Sequence, residues 1–234
     1  MKLICLPYAG GSSAFYREWS DSLPREIVVR PVDFPGHGTR RYHSPLRDMQ
    51  QLVSTLASEL SADFRGPFAL FGHSMGASVA FELCLQLRPE HSQYLTKLIV
   101  SGRSGPHVKR VRPPIYNLPH DEFILELKRL NGTPEALLQN KEMMELAAPI
   151  LRADFELMDG YHPKLGKVLD CDVTAIGGDS DEDIDICDLE AWRGVTKGRF
   201  DVKLLSGDHF FIHSSREKLM NMLQEILLNP QNSE

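Results

Sequence analysis

Six short apolar runs restrict the fold more than any other feature of this chain. They occupy residues 3–6, 27–32, 68–71, 98–100, 173–176 and 202–205, and several end at Gly or Pro. Each has strand length. Unbroken apolar runs, unlike alternating ones, suit strands buried on both faces of a parallel sheet. Helical patterns fill the gaps. Leu52, Leu56 and Leu60 line one face, residues 77–87 make a second helix, and 189–196 make a short third. Leu219, Met222, Leu223 and Ile226 mark a closing helix. The alternation predicts an α/β fold with a mostly parallel central sheet and helices on both faces. The 234 residues suit one such domain spanning 1–234.

One region breaks the alternation. After Ser101-Gly102 comes a loop with Pro106, Pro113 and Pro114, and residues 120–161 then read as wholly helical. An insertion of roughly 50 residues between two sheet strands is usually functional, most often a lid. Its expected limits are about 110–165, by the length arguments for inserted segments. The alternative is a helix pair that packs on the sheet without gating anything.

The charge balance narrows the partners. The formal net charge is −6 and the pI about 5.9, which argues against nucleic acid. No apolar stretch reaches membrane-spanning length, and the chain starts without a signal-peptide pattern, so a cytoplasmic protein with no membrane contact is expected. Cys5, Cys84, Cys171 and Cys187 form no C-x-x-C pair. Cys5, Cys84 and Cys171 fall in apolar surroundings and read as small buried hydrophobes.

Gly72-His73-Ser74-Met75-Gly76 follows one apolar run and precedes a helix. That setting makes it a candidate nucleophile elbow, with Ser74 on a sharp strand-to-helix turn. A plain helix N-cap is the competing reading, but a cap does not require glycine at both −2 and +2. A serine hydroxyl needs a base. In the order Ser, acid, His, the base should follow the last strand. His209 does so, in Leu205-Ser206-Gly207-Asp208-His209, whereas His213 falls at the start of a helix. His73 should point away from Ser74. His37, His43, His91, His107, His120 and His162 lack a strand-end setting and read as surface or lid residues. The acid should follow residues 172–176, where carboxylates crowd. Asp181 is selected, with Asp179 and then Asp183 as alternates. Clustered carboxylates repel, so most of them must be solvated. The Met75 N–H and an N–H from the loop Pro7-Tyr8-Ala9-Gly10-Gly11-Ser12, taken as that of Ala9, would form the oxyanion hole. Gly10-Gly11 lacks the spacing and the lysine of a phosphate-binding loop.

These residues, with others, resemble the discrete (type II, editing) thioesterases of nonribosomal peptide and polyketide synthesis. The matching stretches run nearly end to end. They are Leu6-Pro7-Tyr8-Ala9-Gly10-Gly11, Phe34-Pro35-Gly36-His37-Gly38, Phe71-Gly72-His73-Ser74-Met75-Gly76-Ala77, Phe81-Glu82 and Ser101-Gly102-Arg103. Further along come Leu151-Arg152-Ala153-Asp154-Phe155, Gly177-Gly178 with Asp181, Ala191-Trp192 and Gly207-Asp208-His209-Phe210-Phe211. Many relatives carry Gly-Arg where this chain has Gly36-His37. The resemblance implies the α/β-hydrolase fold and hydrolysis of acyl or aminoacyl groups from the phosphopantetheine arm of carrier proteins. It implies transient carrier-protein partners, a monomer, no metal and no bound cofactor. It also implies that the inserted helices shape the acyl pocket. Phe123, Leu127, Met143, Met144, Leu146 and Phe155 are candidates for its lining, unless they pack into a core. The basic run Lys109-Arg110-Val111-Arg112 is a candidate contact for an acidic carrier, or a solvated loop. A general carboxylesterase or a medium-chain fatty-acyl thioesterase is the alternative activity, and a non-catalytic binding protein of the same fold a further one.

Overall fold

In the computed structural model, described for residues 1–108, 113–163 and 166–228, six strands form one sheet. They are β1 (Lys2–Leu6), β2 (Val28–Pro31), β3 (Phe68–His73), β4 (Leu95–Ser101), β5 (Asp172–Gly178) and β6 (Phe200–Leu205). Each apolar run became a strand. The order is β2-β1-β3-β4-β5-β6, and every pairing is parallel. The runs are continuous because the central strands are covered twice. Ile4 and Leu6 pack into one buried cluster and Leu3 and Cys5 into another, on opposite faces. The edge strands β2 and β6 are the exceptions, with Val28 and Leu204 exposed.

Helices cover both faces. On one lie α2 (Met49–Glu59) and α3 (Met75–Gln86), with Trp192 packed edge-on against Phe81. On the other lie α1 (Ser13–Arg17) and the closing helix Arg216–Leu228. Asp48 caps α2 through the Gln51 N–H at 2.8 Å, as expected of a short carboxylate before a helical stripe. Among the cysteines, Cys5, Cys84 and Cys171 are buried and Cys187 is exposed; all four are free thiols. No helix of the described residues is long and apolar enough to cross a membrane.

Between β4 and β5 run α5 (His120–Leu130), α6 (Glu135–Leu138) and α7 (Lys141–Asp159), after the short α4 (Pro89–Ser92) that leads into β4. The expected limits of this insertion, 110 and 165, lie outside the described residues, and so does the basic run 109–112. The inserted helices have a core of their own: Phe123, Leu127, Leu138, Met144, Ala148 and Leu151. That corrects part of the expected pocket lining. Phe123, Leu127 and Met144 are used up in this core, and Phe155 packs against it. Met143 and Leu146 face solvent, 50% and 77% exposed. On α7 the inward face runs through Met144, Ala148 and Leu151, at spacings of four and three; Leu146 lies on the opposite side.

Topology places the site. The chain winds outward from β1 to β2, then returns to lay β3 on the other side of β1, so the strand order reverses there. The loops leaving the carboxyl ends of two such strands part and leave a crevice, the usual ligand position in an open parallel sheet. Leu6 pairs with Gly72, so the loop after β1 and the turn after β3 emerge side by side. Gly178 pairs with Leu205, which does the same for the loops after β5 and β6.

Candidate active site

Ser74 sits between β3 and α3 with φ 53° and ψ −115°. A left-handed backbone at a non-glycine residue is costly and persists only where its surroundings enforce it. Two close approaches enforce it here. A Cβ on Gly72 would lie 2.1 Å from the Gly76 carbonyl oxygen, and one on Gly76 would lie 2.2 Å from that of Leu6. Both glycines of the motif are therefore required sterically, the first by the helix and the second by strand β1. The Ser74 N–H donates to the Ser101 carbonyl at 2.8 Å, and the serine side chain makes no cap bond. The N-cap reading fails on that point. Met75 begins α3, so its N–H has no carbonyl within the helix to bond.

His209 lies four residues beyond β6 and Asp181 three beyond β5. The Gly178–Leu205 pairing brings them together, and His209 Nδ1 is 2.7 Å from Asp181 Oδ2. The Asp181 side chain is only 1% exposed. Its other oxygen accepts the N–H groups of Asp183 and Ile184 at 2.8 and 3.1 Å, so the carboxylate is fixed from both ends. The alternates do other things. Asp179 is solvated and accepts the Gly207 N–H at 3.0 Å, pinning the loop that carries His209. That hydrogen bond, with one from Ser180, lowers its pKa. Asp183 is half-buried and meets Asp181 through its backbone N–H.

His73 is fully buried and points under His209, with ring centroids 5.2 Å apart. Its Nδ1 is 3.0 Å from the Ser101 hydroxyl, while its Nε2 has no hydrogen-bond partner among the described residues. Burial, then the proximity of His209 and His213, pushes its pKa well below the ordinary value, so the ring is neutral. Gly102, at φ +57°, leaves the space that both rings occupy; a Cβ there would fall 2.6 Å from His73 and 3.3 Å from His209. His213 lies in the short helix Phe211–Ser214, its Nε2 3.2 Å from the Tyr8 hydroxyl, and burial lowers its pKa. A cleft of about 550 Å³ is lined by residues on either side of His209 in sequence, Asp208 and Phe210 among them, with Tyr8, Gly132, Thr133 and His213.

In the loop after β1, the Gly11 N–H bonds the Tyr8 carbonyl at 2.8 Å and Gly10 has φ +73°. The Gly10 N–H is already engaged, 2.7 Å from Asp154 Oδ2 on α7. The same oxygen lies 2.8 Å from His37 Nε2. His37 was expected on the surface or the lid; it is instead 4% exposed, buried beneath α7. His43, His107, His120 and His162 are exposed, as expected, and His91 is half-buried. Asp154 itself was missed as a functional candidate, although a signal existed. It falls on the inward stripe of α7, between Leu151 and Leu157, where a carboxylate needs a buried partner.

Parallel strands in this order, turning at a strained serine after the third, make the chain an α/β-hydrolase fold. It belongs to the thioesterase domain family, whose profile matches residues 1–227, and it is a thioester hydrolase. It is 40% identical over 223 residues to the gramicidin S biosynthesis protein GrsT of Aneurinibacillus migulanus, covering 95% of this chain and 87% of that protein. The structure of YbtT, a type II thioesterase of the yersiniabactin NRPS/PKS pathway, superposes with a TM-score of 0.83 at 32% identity, covering 95% of this chain and 90% of YbtT. The medium-chain S-acyl fatty acid synthase thioesterase of Anas platyrhynchos is 32% identical over 217 residues, covering 90% of this chain and 85% of that enzyme.

Proposed function

We propose that the chain removes acyl or aminoacyl groups from the phosphopantetheine arms of carrier proteins and so clears stalled or misprimed peptide and polyketide assembly lines. Ser74 is the nucleophile, His209 the base and Asp181 the acid that orients it. His209 Nε2 takes the Ser74 proton as the hydroxyl attacks the thioester carbonyl. The Asp181 carboxylate holds Nδ1–H and stabilises the imidazolium that forms. The oxyanion of the tetrahedral intermediate is held by the N–H groups of Met75 and Ala9. Gly10 cannot supply the second donor, because its N–H is spent on Asp154. Collapse expels the pantetheine thiol with the proton from His209. Water then enters and attacks the acyl carbonyl as it gives a proton to His209; His209 passes that proton to the departing Ser74 oxygen, which frees the serine and releases the acid. The cycle needs only these side chains, two backbone donors and water, with no metal or cofactor, and one copy of the chain provides them. The inserted helices act as a lid, and the cleft beside Phe210 admits the arm.

The observation that carries the reading is the Asp181–His209 contact at 2.7 Å beside a strained serine elbow. The likeness to GrsT and YbtT supports the carrier-bound substrate. The likeness to the duck enzyme favours a second reading, a medium-chain fatty-acyl thioesterase. Hydrolysis rates on matched acyl-carrier, acyl-CoA and oxyester substrates separate them. The editing reading requires the carrier thioester to be the best of the three. Faster hydrolysis of a medium-chain fatty-acyl carrier than of short acyl or aminoacyl carriers supports the second reading, and a preference for oxyesters defeats both.

A further inference from the structure

One carboxylate oxygen joins three parts of the molecule that are far apart in sequence. Asp154 Oδ2, on α7, receives the Gly10 N–H at 2.7 Å and faces His37 Nε2 at 2.8 Å. Both side chains are nearly inaccessible, each 3% exposed. The other ring nitrogen of His37 faces the Pro35 carbonyl at 3.1 Å. A carbonyl only accepts, and so does an ionised carboxylate, so a ring with one proton satisfies one of the two contacts and the imidazolium satisfies both. The His37 loop is held in turn by Asp33, which accepts from the Ser13 N–H and hydroxyl and from the Thr39 N–H and hydroxyl, at 2.7–2.9 Å. The fit against α7 is close: a Cβ on Gly10 would lie 2.4 Å from Leu151 Cδ2. Among the described residues, none of these hydrogen bonds reaches Ser74, Asp181 or His209, yet the cluster grips the residue next to Ala9.

We infer that Asp154 is a positioning residue for hydrolysis: from the inserted helix it fixes the Gly10 peptide, and His37 fixes Asp154, so that the Ala9 N–H stays aimed at the developing oxyanion. The inference rests on the proposed role of Ala9. It makes the inserted helices part of the chemistry as well as a cover, because α7 cannot shift without moving an oxyanion donor. A preorganised donor accelerates the reaction only while its direction is held. The contribution therefore falls on the transition state and leaves ground-state binding alone.

The test uses the full chain and an acyl thioester of N-acetylcysteamine, a small substrate that needs no carrier docking. Asp154→Ala should lower kcat about ten- to hundredfold with KM within about twofold, as expected when a reacting geometry is loosened without loss of binding. Asp154→Asn should recover part of the loss, since its amide oxygen still accepts from Gly10. His37→Ala should resemble Asp154→Ala, and His37→Gln, which keeps a donor facing Asp154, should approach the parent. Arg47→Ala breaks the exposed pair between Arg47, in the loop before α2, and Glu156 on α7, and should leave kcat unchanged. The inference is overturned if the losses vanish once rates are scaled to folded protein, if they fall on KM with kcat intact, or if Asp154→Asn is no better than Asp154→Ala. Should Asp154→Ala not fold, the His37 pair decides the matter by the same criteria. Ser74→Ala, run alongside, keeps two failures apart: activity in that variant removes the nucleophile assignment, whereas a dead Ser74→Ala beside an unaffected Asp154→Ala removes only the positioning role.

Discussion

Gly76→Ala is a severe test of the elbow, because its cost follows from one distance. The added Cβ would sit 2.2 Å from the Leu6 carbonyl oxygen and 2.7 Å from that of Pro7, against 3.4 Å for ordinary contact. Both obstacles are backbone, so no side chain can swing aside. Helix α3 and strand β1 must part by about 1 Å, and a shift of that size can cost about a hundredfold in rate. That corresponds to a barrier higher by about 2.7 kcal/mol. The displacement lies between the Met75 N–H on α3 and the Ala9 N–H beyond β1, so the two proposed oxyanion donors lose their common aim. Overpacking of this kind also costs stability, typically about 1–3 kcal/mol. The assay is steady-state hydrolysis of a small acyl thioester, with thermal unfolding measured in parallel. Gly194→Ala serves as control, since among the described residues its Cβ would meet only His107 Cε1, at 3.8 Å. If Gly76→Ala folds and keeps the parent kcat, the steric account of the elbow is wrong.

Other expectations follow from the same geometry. Asp181→Asn should lower kcat by about 10³–10⁴-fold, as expected when the base loses its tautomer partner, while Asp179→Ala changes it little; steady-state rates compare the two. Phe123→Ala should destabilise the chain by about 3–5 kcal/mol, by emptying the centre of the inserted helices' own core; denaturant unfolding reads it. Replacing Met143 and Leu146 by serine should leave the unfolding midpoint unchanged, since both side chains already face solvent. His37 gives a pH dependence with a definite sign. Burial opposes its charge, but the hydrogen bond and charge of Asp154, with the Pro35 carbonyl and the charge of Asp33, outweigh it and raise its pKa above 6.5. A raised folded-state value means stability fully present below pH 6.5 and lost as the pH rises through the folded value. The advantage of the parent over His37→Gln in thermal unfolding should therefore be greatest below pH 6.5 and shrink in alkali.

The strands were legible because burial on both faces leaves an unbroken apolar run. Residues 68–71 and 173–176 could hardly be anything else. Helix α1 and the 3-10 turn Glu18–Asp21 after it were not foreseen, since five and four residues are too few to show a period. The strand-to-helix position of Ser74 and the strand-end position of His209 were readable from local setting alone, one between a run and a helix, the other just past the last run. The choice among Asp179, Asp181 and Asp183 was not. It depends on the pairing of Gly178 with Leu205 and on which carboxylate turns inward, and both are set across strands. His37 and Asp154 were quoted as motifs without a role, because their partnership spans 117 residues and has no local pattern. The apolar positions of α7 were read without their angular phase, which sent Met143 and Leu146 to the wrong side.

The measurement that bears most directly on Ser74 is a rapid-quench digest of the enzyme caught during turnover of an acyl thioester, analysed by mass spectrometry. An acyl group should appear on the peptide containing Ser74, at turnover-competent rates, and should be absent from Ser74→Ala, which should also fail to react with a fluorophosphonate. An acyl group on another residue, or undiminished fluorophosphonate labelling of Ser74→Ala, would mean that the strained serine is not the nucleophile.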